Sequence, residues 1–147
     1  MKKIILMAAA VFLAGVLSVG GANAFKAEDV QTLKKTNSCA KCDLSGADLS
    51  NMQLGRAIMA KANLENANLS GANLDTAYMP AARLMKANLT GAKLNGSCLD
   101  GAYLNGADLT GANLSGAGYS GADFSGAIWT NGVKCAEGSI GFCKIAP

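Results

Sequence analysis

Between Cys42 and Asn131 a large apolar residue returns at every fifth position without a single insertion. The series runs Leu44, Leu49, Leu54, Met59, Leu64, Leu69, Leu74, Met79 and Leu84, then Leu89, Leu94, Leu99, Leu104, Leu109, Leu114, Tyr119, Phe124 and Trp129. That is 18 units over 90 residues, and two places before the centre stands alanine in 15 of them, the exceptions being Cys42, Met52 and Ser97. A period of five suits neither regular element. On an α-helix each step of five turns the side chain by roughly 140°, which would scatter the leucines around the axis. On a flat strand an odd period would send successive leucines to opposite faces. The conflict disappears if the chain turns a corner every five residues, so that each centre and the small residue before it point to a common axis.

The polar positions agree with corners. Two places after the centre stands glycine in 10 units, and asparagine at Asn51, Asn66 and Asn131. Both residue types tolerate turn geometry that others resist. The place just before the centre is often Asp or Asn, as at Asp43, Asn63, Asn68, Asn73 and Asp108, which suits an outward position.

Stretches such as ADLTGANLSGA, residues 107–117, closely resemble the pentapeptide-repeat family, and the resemblance covers residues 42–131. It implies an all-β fold, a right-handed quadrilateral β-helix with four units per coil. The rod would be roughly 20 Å tall at the usual strand spacing. Residues 20 apart would then stack. One outward column is Ile58, Tyr78, Cys98 and Gly118, the most apolar; two others, Asp43, Asn63, Arg83, Tyr103, Asp123 and Asp48, Asn68, Asn88, Asp108, Ile128, are largely polar. An exposed apolar column is a candidate contact surface, so Ile58, Tyr78 and Cys98 are the candidate partner surface. A solvated wall that tolerates substitution is the competing reading.

A solenoid needs covered ends. Residues 25–41 form the expected N-terminal cap, with a short helix over Glu28 to Lys35 placing Val30 and Leu33 on the first coil. Residues 132–147 form the expected C-terminal cap. There Tyr119, Phe124 and Trp129, followed by Ile140, Phe142 and Ile145, are expected to plug the rod. A homodimer through that end, which the family resemblance suggests, is the alternative.

Residues 1–24 read as a secretory signal: Lys2 and Lys3, an apolar stretch from Ile4 to Val19, and Ala22-Asn23-Ala24 before Phe25. The expectation is an exported chain, periplasmic or secreted, without stable membrane insertion once the signal is removed. The chain holds 13 basic and 10 acidic residues; removing Lys2 and Lys3 leaves 11 against 10, or +1. A near-neutral rod gives no electrostatic reason to expect nucleic acid as partner.

Five cysteines remain, and an oxidising compartment makes disulfides the default. Cys39 with Cys42 reads as a structural staple of the N-terminal cap, with a redox pair as the alternative. Haem attachment fails because Asp43, not histidine, follows Cys42. Cys135 with Cys143 brackets CAEGSIGFC and reads as a staple of the C-terminal cap. The two pairs lie too far apart on the rod to share one zinc ion, so no metal is expected. Cys98 is left over.

No catalytic constellation emerges. Histidine is absent, no carboxylate pair faces an apolar pocket, and the interior is filled by side chains. The expectation is a protein that is not an enzyme and holds no cofactor. The family resemblance offers a gyrase-binding DNA mimic, but export would separate the protein from gyrase. The repeats also carry only 7 acids against 5 bases. Ice binding would need a wall of aligned threonines, which Thr76, Thr90, Thr110 and Thr130 are not expected to form. What remains is a non-catalytic exported scaffold or protein-interaction module whose partner is a protein of the cell envelope. The alternative is a thiol- or disulfide-linked redox or assembly role through Cys39, Cys42 and Cys98.

Overall fold

The computed structural model describes residues 25–145, so the secretory signal expected at residues 1–24 lies outside the described residues. Helix α1 (Ala27–Thr36) opens the described chain and buries Val30 and Leu33. Glu28 and Asp29 stand at its positive end and Lys34 and Lys35 at its negative end, an order that favours the helix. Asn37 closes it in the left-handed conformation, at φ 53°. The helix is tied to the first coil at two points. The Lys26 amide donates to the Asp43 carbonyl (3.1 Å), and the Asp43 amide donates to Asp29 Oδ2 (2.7 Å).

The coils that follow are held by parallel bridges between residues 20 apart, from Ser38 with Ile58 to Asp108 with Ile128. A step of 20 is four units, so each coil has four walls. The unit centres fall on wall 1 (Leu44, Leu64, Leu84, Leu104, Phe124), wall 2 (Leu49, Leu69, Leu89, Leu109, Trp129), wall 3 (Leu54, Leu74, Leu94, Leu114) and wall 4 (Met59, Met79, Leu99, Tyr119). Every centre from Leu44 to Leu109 is buried, at no more than 1 % exposure, and the alanines two places before pack beside them. Buried leucines stabilise by on the order of 2 kcal/mol each before ordering costs are counted.

One hydrogen-bond grammar repeats throughout. The centre's amide donates to the carbonyl 19 residues on, as from Leu89 to Asp108 (2.7 Å). The amide three places after the centre donates back to the centre's carbonyl, as from Ala92 to Leu89 (3.0 Å), closing a turn. The third residue of that turn has positive φ in every unit from Gly46 to Gly126, whatever its type: Arg56, Lys61, Thr76, Ala81 and Lys86 adopt it as well as glycine. The turn class needs that conformation, which explains the glycines and asparagines in the sequence.

The grammar ends at the last unit. Gly132, not Asn131, carries the positive φ, and the chain doubles back. It forms antiparallel bridges Ile128 with Lys134, Asp123 with Ile140, and Cys135 with Ile145. This tail covers walls 1 and 2 only. Over walls 3 and 4 the amides of Leu114, Gly116, Tyr119 and Gly121 find no backbone acceptor among the described residues, and Leu114 and Tyr119 are half-buried.

The plug is smaller than the sequence suggests. Tyr119, Phe124 and Trp129 pack edge to face, with ring centroids 5.0–6.2 Å apart, and Phe124 is fully buried. Ile140, Phe142 and Ile145 do not join them; all three are exposed. The antiparallel return places them on the outer side of the tail, where Lys144 Nζ sits 5.7 Å from the Phe142 ring centre.

Candidate interaction surface

Walls 1, 2 and 3 share one side-chain device. An Asp or Asn just before the centre accepts, through Oδ1, the amide two residues later and, where that residue is Ser or Thr, often its hydroxyl. Asn88 takes both from Thr90 (3.0 and 2.6 Å), and Asp108 takes both from Thr110 (2.9 and 2.6 Å). The same loop closes at Asp43 with Ser45, Asn68 with Ser70, Asn113 with Ser115 and Asp123 with Ser125. Successive loops are joined up the wall, as where Asn63 Nδ2 donates to Asp43 Oδ1 (3.1 Å). The motif Asp/Asn-x-Ser/Thr, as at Asp43, Asp48, Asn68, Asn88, Asp108, Asn113 and Asp123, carries this information in the sequence.

The device depresses carboxyl pKa values. The Ser45 hydroxyl, followed by its amide and Asn63, holds Asp43 below the usual carboxylate value. Ser50 does the same for Asp48. At Asp123 burial pushes the pKa up, but the bonds from Ser125 and Asn105 outweigh it and the net direction is down.

Wall 4 has no such ladder. Its bridged column runs Ser38, Ile58, Tyr78, Cys98, Gly118, and the residue two places later in each unit is Ala40, Ala60, Pro80, Asp100 and Ser120. Ile58 and Tyr78 are 47 % and 51 % exposed, and Cys98 is half-buried. The structure therefore brings together the three candidate surface residues on one face, stacked one coil apart. Above Ser38, side-chain hydrogen bonds enter this wall only at its upper end, where Asp100 Oδ1 accepts the Ser120 amide (2.8 Å) and Cys98 Sγ lies 3.6 Å from Asp100 Oδ2.

The threonine reading needs correction. Thr90, Thr110 and Thr130 are 20 apart and do stack on wall 2, above Ser50 and Ser70; only Thr76 stands elsewhere, at a corner. The hydroxyls of Thr90 and Thr110 are already donated to their Asx partners, so no row of free donors results.

The cysteines divide as two pairs and one thiol. Cys39 and Cys42 lie at disulfide bonding distance beside α1, with Cys39 buried. Cys135 and Cys143 lie at bonding distance within the antiparallel tail. Cys98 is free. Among the described residues no group of His, Cys, Asp and Glu has metal-site geometry, and no helix is long and apolar enough to cross a membrane.

The family model "Pentapeptide repeats" matches the chain in 8 copies, over residues 38–75 and 87–126. The chain belongs to this family. Its coils form the right-handed β-helix that the solved family members share. A pentapeptide repeat protein, Rfr23, from the cyanobacterium Cyanothece 51142 is 29 % identical, over 68 % of this chain and 82 % of its own, with a TM-score of 0.66. The pentapeptide repeat protein alr5209 from Nostoc Pcc 7120 is 30 % identical, over 71 % of this chain and 83 % of its own, with a TM-score of 0.35. The pentapeptide repeat protein AT2G44920 from the Arabidopsis thaliana thylakoid lumen is 31 % identical, over 73 % and 74 %, with a TM-score of 0.28. No curated protein matches the chain.

Proposed function

We propose that this pentapeptide-repeat protein is a non-catalytic, exported scaffold of the cell envelope that holds a partner protein on wall 4. The observation that carries the reading is the contrast between walls. Walls 1 to 3 each carry Asp or Asn loops at two or more levels, while the fourth carries none and presents Ile58, Tyr78 and Cys98 instead. Apolar side chains stacked on successive coils of one wall are what a protein contact requires, whereas Tyr103 stands alone among polar neighbours on wall 1. Export is supported by the Lys2-Lys3 start, the apolar stretch and Ala22-Asn23-Ala24.

The other readings have less support. A DNA mimic needs a one-signed face, but the acids of walls 1 and 2 alternate with neutral asparagines and with Arg83. A redox role for Cys39 and Cys42 needs a stabilised thiolate, but the pair follows the negative end of α1 rather than a helix N-terminus, with Cys39 buried and Cys42 half-buried.

The test is Tyr78→Lys with Cys98→Ser, read by thermal melting and by co-purification from the envelope fraction, with N-terminal sequencing of the same material. The expected result is unchanged melting, lost partners and a chain beginning at Phe25. Partners retained in full would return wall 4 to an ordinary solvated face, and material beginning at Met1 would remove the export reading.

A further inference from the structure

We infer that wall 4 binds wall 4 of a second copy of this chain, with the two rods antiparallel. This rests on the reading of wall 4 as a contact surface and names its occupant. The warrant is charge complementarity along an apolar, self-matching column.

The column rises Ser38, Ile58, Tyr78, Cys98, Gly118, one residue per coil. A two-fold axis lying in the interface and crossing the rod at Tyr78 reverses that order in the second copy. Tyr78 then meets Tyr78, Ile58 meets Cys98, and Ser38 meets Gly118, where no side chain stands. The contact is isologous, as a closed dimer requires.

The charges sit where this axis needs them. Asp100 and Lys61 lie on the same side of the wall, after the centres Leu99 and Met59, and two coils apart. The axis places each Asp100 over Ala60 of the other copy, beside the adjoining Lys61, twice by symmetry. Both residues are exposed, and the ion pair found among the described residues, Arg83 with Glu65, uses neither. Ala60 and Pro80 keep the ground between them low. With the rods parallel instead, the axis would run along the rod and exchange the two sides of the wall. Lys61 would then face Arg56 of the second copy, a like-charge contact that disfavours that arrangement.

The wall spans five bridged levels, about 20 Å at the usual strand spacing. That is small beside a standard protein interface, so the dimer is weak, concentration-dependent and sensitive to salt.

The test is sedimentation equilibrium of the purified protein over a wide concentration range. The mean mass should rise from one chain towards two. Lys61→Asp and Asp100→Lys should each raise the dissociation constant by at least about tenfold, and the two together should restore it. Lys61 has φ 58°, a conformation Asp accepts, and melting temperatures check that each variant is folded. Alkylation of Cys98 by a neutral maleimide should slow several-fold as concentration rises, because Ile58 of the second copy covers it.

A one-chain mass at every concentration overturns the inference. So does association indifferent to both single reversals, which would place it elsewhere, such as the open rim at Leu114 and Tyr119. A Cys98–Cys98 disulfide as the dominant linked species overturns it too, since it needs Cys98 on the axis. If the protein is a single chain and Tyr78→Lys with Cys98→Ser still loses an envelope partner, the contact surface stands and only its occupant is wrong.

Discussion

Asn88 and Leu89 are adjacent in the chain and face opposite sides of wall 2: Leu89 is fully buried, while Asn88 is exposed and holds the Thr90 hydroxyl at 2.6 Å. Leu89→Ala should therefore cost about 2–5 kcal/mol, the price of a core cavity. Asn88→Ala should cost no more than about 1 kcal/mol, for hydrogen bonds that water can replace. Urea denaturation of both variants checks this, and equal losses would contradict the placement.

Ser97 occupies an interior place that alanine fills in most units, and its buried hydroxyl has no hydrogen-bond partner. A buried donor without a partner costs about 1–3 kcal/mol. Ser97→Ala should raise stability by about 1 kcal/mol or more, seen as a higher denaturant midpoint with an unchanged slope. A loss of stability would mean that the hydroxyl has a partner after all.

The frame of five and the stacking of residues 20 apart were legible because burial enforces them: an unburied Leu64 or a polar residue at Leu84 would open the core. The ends were less legible, because no repeat governs them. Nothing in the spacing of Ile140, Phe142 and Ile145 tells that the tail returns antiparallel over two walls and leaves them outside. The wall ladder was present as Asp108-x-Thr110 and its equivalents, but it becomes readable only once corners and walls are separated. The alignment of Thr90 with Thr110 and Thr130 follows from the same step of 20 that places Tyr78 under Cys98.

Two corner glycines separate strain from steric conflict. Gly91 has φ 65° and open space around the place a Cβ would take. Gly71 has φ 64°, and a Cβ there would collide with the Asn51 side-chain amide. Gly91→Ala should cost about 1–2 kcal/mol, from the left-handed backbone alone. Gly71→Ala should cost more, unless Asn51 swings away. Asn51 also sits at a left-handed corner (φ 56°), so Asn51→Ala has a cost of its own; measured in that background, Gly71→Ala should cost no more than Gly91→Ala.

Acid should weaken the walls in a defined window. Asp43, Asp48 and Asp123 all have pKa values lowered by folding. Carboxyls of this kind add stability that is complete above their unfolded value, near 3.8. It is lost as pH falls through the lowered folded value. The melting temperature should be flat from neutrality to about pH 5 and drop below about pH 4. In Asp43→Asn with Asp123→Asn that drop should be shallower. An acid drop of full size in the double variant would assign it to other groups.

The two cystines should contribute unequally, because they close loops of different length. Cys39 and Cys42 are 3 residues apart, and Cys135 and Cys143 are 8 apart. The chain-entropy relation gives the longer loop about 2.5 kcal/mol and the shorter one about 2 kcal/mol. Position then widens the gap. Cys39 is anchored beside α1, which stays tied to the first coil through Lys26 and Asp29 whether or not the sulfurs are joined. Beyond Gly141 the C-terminal tail is tied only to itself, by the Ala136 amide on the Lys144 carbonyl (2.7 Å) and the Lys144 amide on Ser139 Oγ (3.1 Å), so without its cystine the segment around Phe142 should open more readily than the N-terminal cap. Non-reducing peptide mapping should find both links, with Cys98 unlinked to either. Reduction should raise amide exchange in residues 133–145 more than in residues 26–40. Equal exchange at the two ends, or a link between them, would remove the distinction drawn between the caps.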